Sequence, residues 1–358
     1  KTKNRFSNTL KNNMVSIVNF FKDLMTFFRY KKNEKNFTIG FFSESNFIYN
    51  YLEPYIKNKI KKKKILLISF NYIQKTYLDN NSVYVFNTNF FRQLIFLSIK
   101  LKYLYSSTPD LNNTIFMKSK FSKCKYIYLQ HSPLSLNLIY RENAFNHFDA
   151  VQVISSYHYN EMKEIICRHN LKTKIFKSKY LFVKEQIQKK QNSVKKADLL
   201  IAPSWNTGFY KLGCHIKIQK SLSGKSISYK FRPHPMSYIK KEISKKELQN
   251  LDINVDESEF INYQDYDYFI TDWSGLFIEY SLISNKKSYL INTPKKISNK
   301  NYSSYKNKPI EISLRNTLGN LYDIENIDEI AEEILALKNN INSSEDLNIK
   351  NTINKIFY

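Results

Sequence analysis

Cysteine is nearly absent from the 358 residues: only Cys124, Cys167 and Cys214 occur. They are odd in number, far apart and never in a CxxC spacing. That argues against a disulfide framework or a zinc site and makes a reducing compartment the default. Acidic residues are also short, with 31 Asp and Glu against 56 Lys and Arg, for a net charge of +25. A surplus of this size suits a negatively charged partner: nucleic acid, anionic lipid or a phosphorylated substrate. No helix-turn-helix, RNP-like or zinc-finger pattern supports the nucleic-acid option. No apolar run is long and uncharged enough to cross a bilayer, and no signal-peptide pattern opens the chain at Lys1. No Asp/His cluster has metal-ligand spacing, so no metal site is assigned and no cofactor is required; magnesium stays open as an assistant. Glycine is scarce, at six residues, while Lys, Asn, Ile, 27 Tyr and 26 Phe abound. An AT-rich coding sequence yields this bias, and it carries little about function.

The apolar fraction is 42%, enough for a packed interior, and the length suits two domains. Short apolar runs read as buried strands at 37–42, 65–70, 82–86, 126–130 and 150–154, and again at 199–204, 226–231, 268–271 and 288–292. Segments long enough for helices separate them, the rhythm of doubly wound parallel sheets. The polar stretch 184–197 divides the two sets, giving an N-terminal domain over 1–190 and a C-terminal domain over 191–358. The expected fold class is α/β, with two Rossmann-like domains facing a cleft, as in the GT-B architecture. A helix is predicted over 326–338, with Asn326 as N-cap and Glu329 at its third position. Two amphipathic, basic-flanked stretches, 14–28 and 90–105, suit either a membrane interface or packing on their own domain.

Three segments place polar groups at predicted strand ends, where open α/β sheets bind ligands. In YLQHSPLSL (128–136), His131 follows a strand and precedes a Pro-containing turn, a place for a general base or for a histidine bonded within its loop. In FRPHP (231–235), two prolines stiffen the turn and Arg232 and His234 share one side, a pairing suited to phosphate oxygens. In YFITDWSGLFIEYSLI (268–283), Asp272, Ser274 and Gly275 form a tight turn before an apolar helix. Its N-terminus offers amides and a positive dipole end, and Asp272 and Ser274 equally suit helix caps. Gly275 allows close approach of backbone and ligand. Glu279, about one turn on, is placed to accept from ribose hydroxyls.

QHSPLSL, APSW (202–205), FRPHP and TDWSG occur in that order, and the series resembles the CDP-glycerol glycerophosphotransferase family, which includes the teichoic acid primases and polymerases. The resemblance spans about residues 126–292, and RPHP with TDWSG is specific as a pair. It implies His131 and His234 as catalytic histidines, His131 as base and His234 at the phosphates. It implies Arg232, Asp272, Ser274 and Gly275 as donor-binding, and Ser204 of APSW and Glu279 complete the candidate donor site. The implied reaction transfers glycerol phosphate, or a related polyol phosphate, from a CDP-linked donor to a cell-surface polymer or its lipid-linked precursor, releasing CMP. The implied place is the cytoplasmic face of the cell membrane, held peripherally on anionic lipid, with the N-terminal domain facing acceptor and membrane. No nucleic-acid partner is expected. The chain departs from the family in carrying Ser132 where glycine is usual, in lacking a lysine soon after His131, and in reading TDWSG for TDYSS. The alternatives are a GT-B glycosyltransferase using a nucleotide sugar for capsule or lipopolysaccharide, and a non-catalytic basic protein binding membrane or nucleic acid.

Overall fold

The computed structural model describes residues 2–73, 77–79, 82–112, 115–188, 194–258, 261–339 and 347–357, with side chains from Ser16 onward except those of Leu347 and Asn348. The side chain of Met14, from the first amphipathic stretch, and residues 189–193 of the expected domain boundary lie outside this set.

The strands among the described residues are β1 (Ile39–Ser43), β2 (Ile65–Ser69), β3 (Val83–Val85), β4 (Tyr103–Ser106), β5 (Lys125–Leu129), β6 (Ala150–Val153), β7 (Lys174–Lys177), β8 (Leu199–Ile201), β9 (Tyr229–Phe231), β10 (Tyr268–Thr271), β11 (Ser288–Ile291) and β12 (Gly319–Tyr322). The helices are α1 (Thr2–Asn33), α2 (Asn46–Ile60), α3 (Asn89–Ser98), α4 (Ser156–Arg168), α5 (Leu181–Gln188), α6 (Cys214–Leu222), α7 (Pro235–Ile239), α8 (Lys245–Asn250), α9 (Leu276–Ser284), α10 (Ile310–Leu318), α11 (Ile327–Asn339) and α12 (Leu347–Ile356). Two all-parallel sheets result, ordered β3-β2-β1-β4-β5-β6-β7 and β12-β11-β10-β8-β9. β1, β2, β8 and β11 are buried along their whole length. Strands covered on both faces need continuous apolar runs rather than alternation, which is why these segments read so plainly in the sequence.

Three strands escape that reading. β7 is an exposed edge strand of sequence KIFK, whose lysines suit an open edge. β12 opens on Gly319. β4 begins inside the predicted amphipathic stretch 90–105, which is mostly helix α3 followed by this strand of the sheet interior. Phe91, Ile95, Phe96, Ile99, Leu101 and Leu104 are buried there and Phe90 is exposed, so most of this stretch packs internally.

Contacts divide the chain into two compact units. The first runs to His131 and adds Asn143–Val153 and Ile165–Phe182; the second comprises Ser132–Glu142, Ile154–Glu164 and the residues from Val183 onward. In each sheet the strand order reverses once, between β1 and β4 in the first and between β10 and β8 in the second. Ligands of open α/β sheets bind outside the carboxyl ends of strands at such a reversal.

In the first unit, α1 is fixed by polar groups as well as by Phe20 and Phe27, whose rings lie 5.2 and 6.0 Å from that of Phe91. Asp23 is fully buried and accepts hydrogen bonds from Asn87 N, Asn87 Nδ2, Thr88 N and Thr88 Oγ1 at 2.7–3.0 Å. It thereby occupies the start of α3, where Thr88 makes no side-chain cap of its own. At the other end of α3, Lys31 Nζ donates to Ser98 O (2.9 Å), and Glu34 accepts from Lys100 N (2.9 Å) and the Tyr30 hydroxyl. Ile17, Val18, Phe21, Met25 and Phe28 are left exposed at helical spacing. Replacing Asp23 with Ala strands the two amides at the start of α3, and stability in a urea titration should fall by about 2–4 kcal/mol. An unchanged midpoint would show that α1 is not held by this carboxylate.

Candidate active site

The carboxyl ends of β8, β9, β10 and β11 carry the polar groups of the second unit. After β10, Asp272 is fully buried and joins three strand ends. Its Oδ1 accepts from Ser204 N (2.7 Å), and its Oδ2 accepts from Thr207 Oγ1 (2.5 Å) and Thr293 Oγ1 (3.1 Å). It is therefore a tie across the strand reversal rather than a cap of α9. Ser274 does the capping, through Oγ from Leu276 N (3.3 Å) and its carbonyl from Phe277 N (3.4 Å). α9 is apolar on nearly every side and buried from Phe277 to Ile283, as an all-round apolar helix must be.

Trp273 and Arg315 lock the turn from beneath. Trp273 Nε1 donates to Thr293 O (2.6 Å), and the Arg315 guanidinium lies 4.1 Å over the indole. Arg315 donates to Asp272 O (2.7 Å), Ile291 O (2.8 Å) and Asn292 Oδ1 (3.3 Å). Burial lowers its pKa to about 10, against the pull of Asp272.

After β9, His234 Nδ1 accepts from Met236 N (3.1 Å), which leaves the proton on Nε2. Burial, and secondarily the charge of Lys296, push this imidazole down to about 3. Near neutrality His234 is thus an uncharged donor through Nε2. Arg232, from the same turn, is committed to Asp256 Oδ2 (2.9 Å) and to Ser258 O and Oγ (2.8 and 3.0 Å).

After β11, Lys296 is 9% exposed and its ammonium lies 4.4 Å over the ring of Trp205. Trp205 follows β8, and its ring centroid is 6.2 Å from that of His234. Burial lowers Lys296 to about 8, opposed by Asp272, Glu242 and Glu311.

The segment Ser132–Leu138 packs onto the same turn. Glu311 accepts from Ser135 N and Oγ (both 3.0 Å), and Glu161 accepts from Leu136 N (2.7 Å). Burial raises Glu311 to about 6 and shifts Glu161 well upward, with Glu311 adding to the latter. A Cβ on Gly275 would lie 2.9 Å from both Leu134 Cγ and Ser132 Oγ. Gly275 has an ordinary helical φ of −61°, so this close packing is what requires glycine there.

His131 belongs to the first unit, after β5. Burial lowers its imidazole to about 4, against a hydrogen bond to the Ser107 backbone. The Tyr128 hydroxyl is 3.4 Å from Nδ1, and the Tyr180 hydroxyl donates to the His131 carbonyl (3.0 Å). The imidazole is neutral near pH 7, the form a base requires.

Of the residues singled out in the sequence, Ser204, His234, Asp272, Ser274 and Gly275 gather at the strand ends of the second unit. Glu279 is 1% exposed in that unit and accepts from the Tyr263 hydroxyl at 2.6 Å, so its carboxylate already has a protein partner. Lys296, Arg315, Glu311, Thr207 and Thr293 were not singled out. No local motif marks them, since each acts through partners distant in the chain. Trp205 sits in the quoted APSW, where its ring was the available signal.

Gly275→Ala forces Leu134 and Ser132 aside while leaving the backbone unstrained. Stability should drop by about 1–3 kcal/mol in a thermal or urea melt, and Gly275→Ser should cost at least as much. Wild-type stability for both would show that the Ser132–Leu138 segment yields freely.

No family profile matches the chain, and no curated protein matches it. Solved structures do. A histidine variant of the wall teichoic acid polymerase TagF is 12% identical, covering 95% of this chain and 98% of that one, with a TM-score of 0.50. A UDP-N-acetylglucosamine 2-epimerase from Rickettsia bellii is 11% identical over 85% and 95% of the two chains, with a TM-score of 0.48. WaaG, a glycosyltransferase involved in lipopolysaccharide biosynthesis, is 8% identical over 88% and 98%, with a TM-score of 0.46. With its two doubly wound parallel sheets, the chain has the GT-B-like α/β fold.

Proposed function

We propose that the chain is a transferase that moves glycerol phosphate, or a related polyol phosphate, from a CDP-linked donor to a cell-surface polymer or its lipid-linked precursor. The observation that carries this reading is the gathering of His234, Ser274 and the Asp272 tie at the carboxyl ends of β8, β9 and β10, flanking a strand reversal. The motif order and the likeness to a teichoic acid polymerase support it. In the proposed reaction, an acceptor hydroxyl attacks the donor's β-phosphorus. A new P–O bond forms, the P–O bond to CMP breaks, and CMP leaves with that electron pair. His131 takes the hydroxyl proton. His234 Nε2 donates to a phosphoryl oxygen as charge builds, the preorganised kind of stabilisation that contributes most to many enzymes. Arg232 has to exchange Asp256 and Ser258 for phosphate oxygens to join, so its part is conditional on that exchange.

Release of CMP from a panel of CDP-polyol and UDP-sugar donors tests the reading. CMP from a CDP-polyol is expected. UDP from a sugar nucleotide would instead make the chain a sugar-transferring GT-B enzyme. His131→Ala should lower kcat by about 10²–10⁴-fold and leave CDP affinity nearly unchanged. A base is active when deprotonated, and His131 stays so down to about pH 4. The acid limb of kcat/KM should therefore lie well below the ordinary histidine value of ~6.5. A limb near 6.5 would remove His131 from the role of base.

We also propose peripheral attachment to an anionic membrane, with the N-terminal unit facing it. No helix among the described residues is long and apolar enough to cross one. The exposed stripe of α1 supports this reading, with Lys22, Arg29, Lys31 and Lys32 on the same helix. Basic residues near such a surface contribute roughly 1 kcal/mol each. Binding to anionic vesicles should weaken as salt rises, and weaken further in the double variant Phe21→Ser, Phe28→Ser. Indifference of both proteins to anionic vesicles at low salt would end this proposal.

A further inference from the structure

Lys296 has the form of a cation kept for a ligand. It is 9% exposed, yet no hydrogen bond or ion pair joins its ammonium to a described residue. A buried charge ordinarily has a partner, because losing water without compensation is costly. The three carboxylates whose charges act on it are all committed elsewhere. Asp272 holds Ser204 N, Thr207 and Thr293; Glu242 accepts from Asn206 N at 2.8 Å; Glu311 holds Ser135 N and Oγ. What the ammonium does have is the Trp205 ring at 4.4 Å, a face that holds a cation in place without supplying a hydrogen-bond acceptor. All three ammonium protons thus remain for an incoming acceptor.

The second cation of this site is already spent: Arg315 is bonded to Asp272 O and Ile291 O and stacked on Trp273. A third, Arg232, is paired with Asp256. Around His234 Nε2–H and the turn after β10, Lys296 is therefore the cation without a protein anion among these three.

We infer that Lys296 receives the terminal phosphate of a nucleoside diphosphate, held between Trp205 and the donor proton of His234, and that it makes the site select diphosphates over monophosphates. This rests on the donor-binding reading above and assigns to it a residue that no sequence motif marks. A charged hydrogen bond to a phosphate oxygen, made by a compact ammonium, is strong and is lost whole when the charge is removed.

The test uses the full chain in three forms: wild type, Lys296→Met and Lys296→Gln. Calorimetry measures CDP and CMP affinity, and thermal melting without nucleotide measures stability. Wild type should bind CDP more tightly than CMP. Both variants should bind CDP about 10- to 100-fold more weakly while CMP affinity changes less than about threefold, so the CDP/CMP ratio collapses. The unliganded variants should melt no lower than wild type, since relieving an unpaired buried charge does not destabilise, and sites built for ligands commonly trade stability for function. If wild type binds neither nucleotide, the donor-binding reading itself fails. If wild type binds CDP and the variants keep its CDP/CMP ratio, the reading stands and the role of Lys296 is overturned. A lowered melting temperature with unchanged CDP affinity, or failure of both variants to fold, would show that Lys296 serves the fold through Trp205 and would equally overturn the inference.

Discussion

The Asp272 carboxylate organises the second unit. It is fully buried, and its oxygens take a backbone amide and two hydroxyls from the segments that follow β8 and β11. A carboxylate without water is tolerable only when donors surround it, so its burial and the positions of Ser204, Thr207 and Thr293 require one another. Its carbonyl is fixed in turn by Arg315, which reaches Ile291 as well. The strand ends on both sides of the reversal are thereby held in one register. Ser274, Gly275, His234 and Trp205 inherit their positions from that frame.

The same burial that fixes the frame sets its charge states. His234 is held neutral, Arg315 and Lys296 are lowered, and Glu161 and Glu311 are raised. Desolvation is the first cause in every case, and neighbouring charges modify it. In this site the oxygens of Asp272 and Glu311 are turned to amides and hydroxyls of the protein. Arg315 and Arg232 are bonded within the protein, and Lys296 is the one of these three cations with no hydrogen bond to a described residue. Such a balance suits an anionic ligand.

In the first unit a polar device does a comparable job. α1 carries an apolar stripe, yet Asp23, Lys31 and Glu34 fasten it to both ends of α3. Helices are usually held by their apolar face. Here polar contacts add to the packing of Phe20 and Phe27 on Phe91, and Ile17, Val18, Phe21, Met25 and Phe28 stay exposed.

The strands were legible wherever a segment is buried on both sides, because burial demands an unbroken apolar run: β1, β2, β8 and β11 are of this kind. Edge strand β7 and the strand after α3 were not, since lysines or an adjoining helix blur the run. The short motifs were legible because proline and turn chemistry act over a few residues, and they located the turns after β9 and β10. What those turns do was decided only by the tertiary structure. Asp272 read as a donor-binding residue or a helix cap, but its own partners lie as far as 68 residues away in the chain. Arg232 read as free for phosphate, but Asp256 holds it from 24 residues on. Lys296 is marked by no motif, and only the folded chain sets its ammonium over Trp205. The sequence determined which chemical groups stand at the strand ends, because secondary structure follows local pattern. Which of those groups remain available was decided by the tertiary structure, because a charge is satisfied or left unsatisfied by neighbours that only the folded chain brings to it.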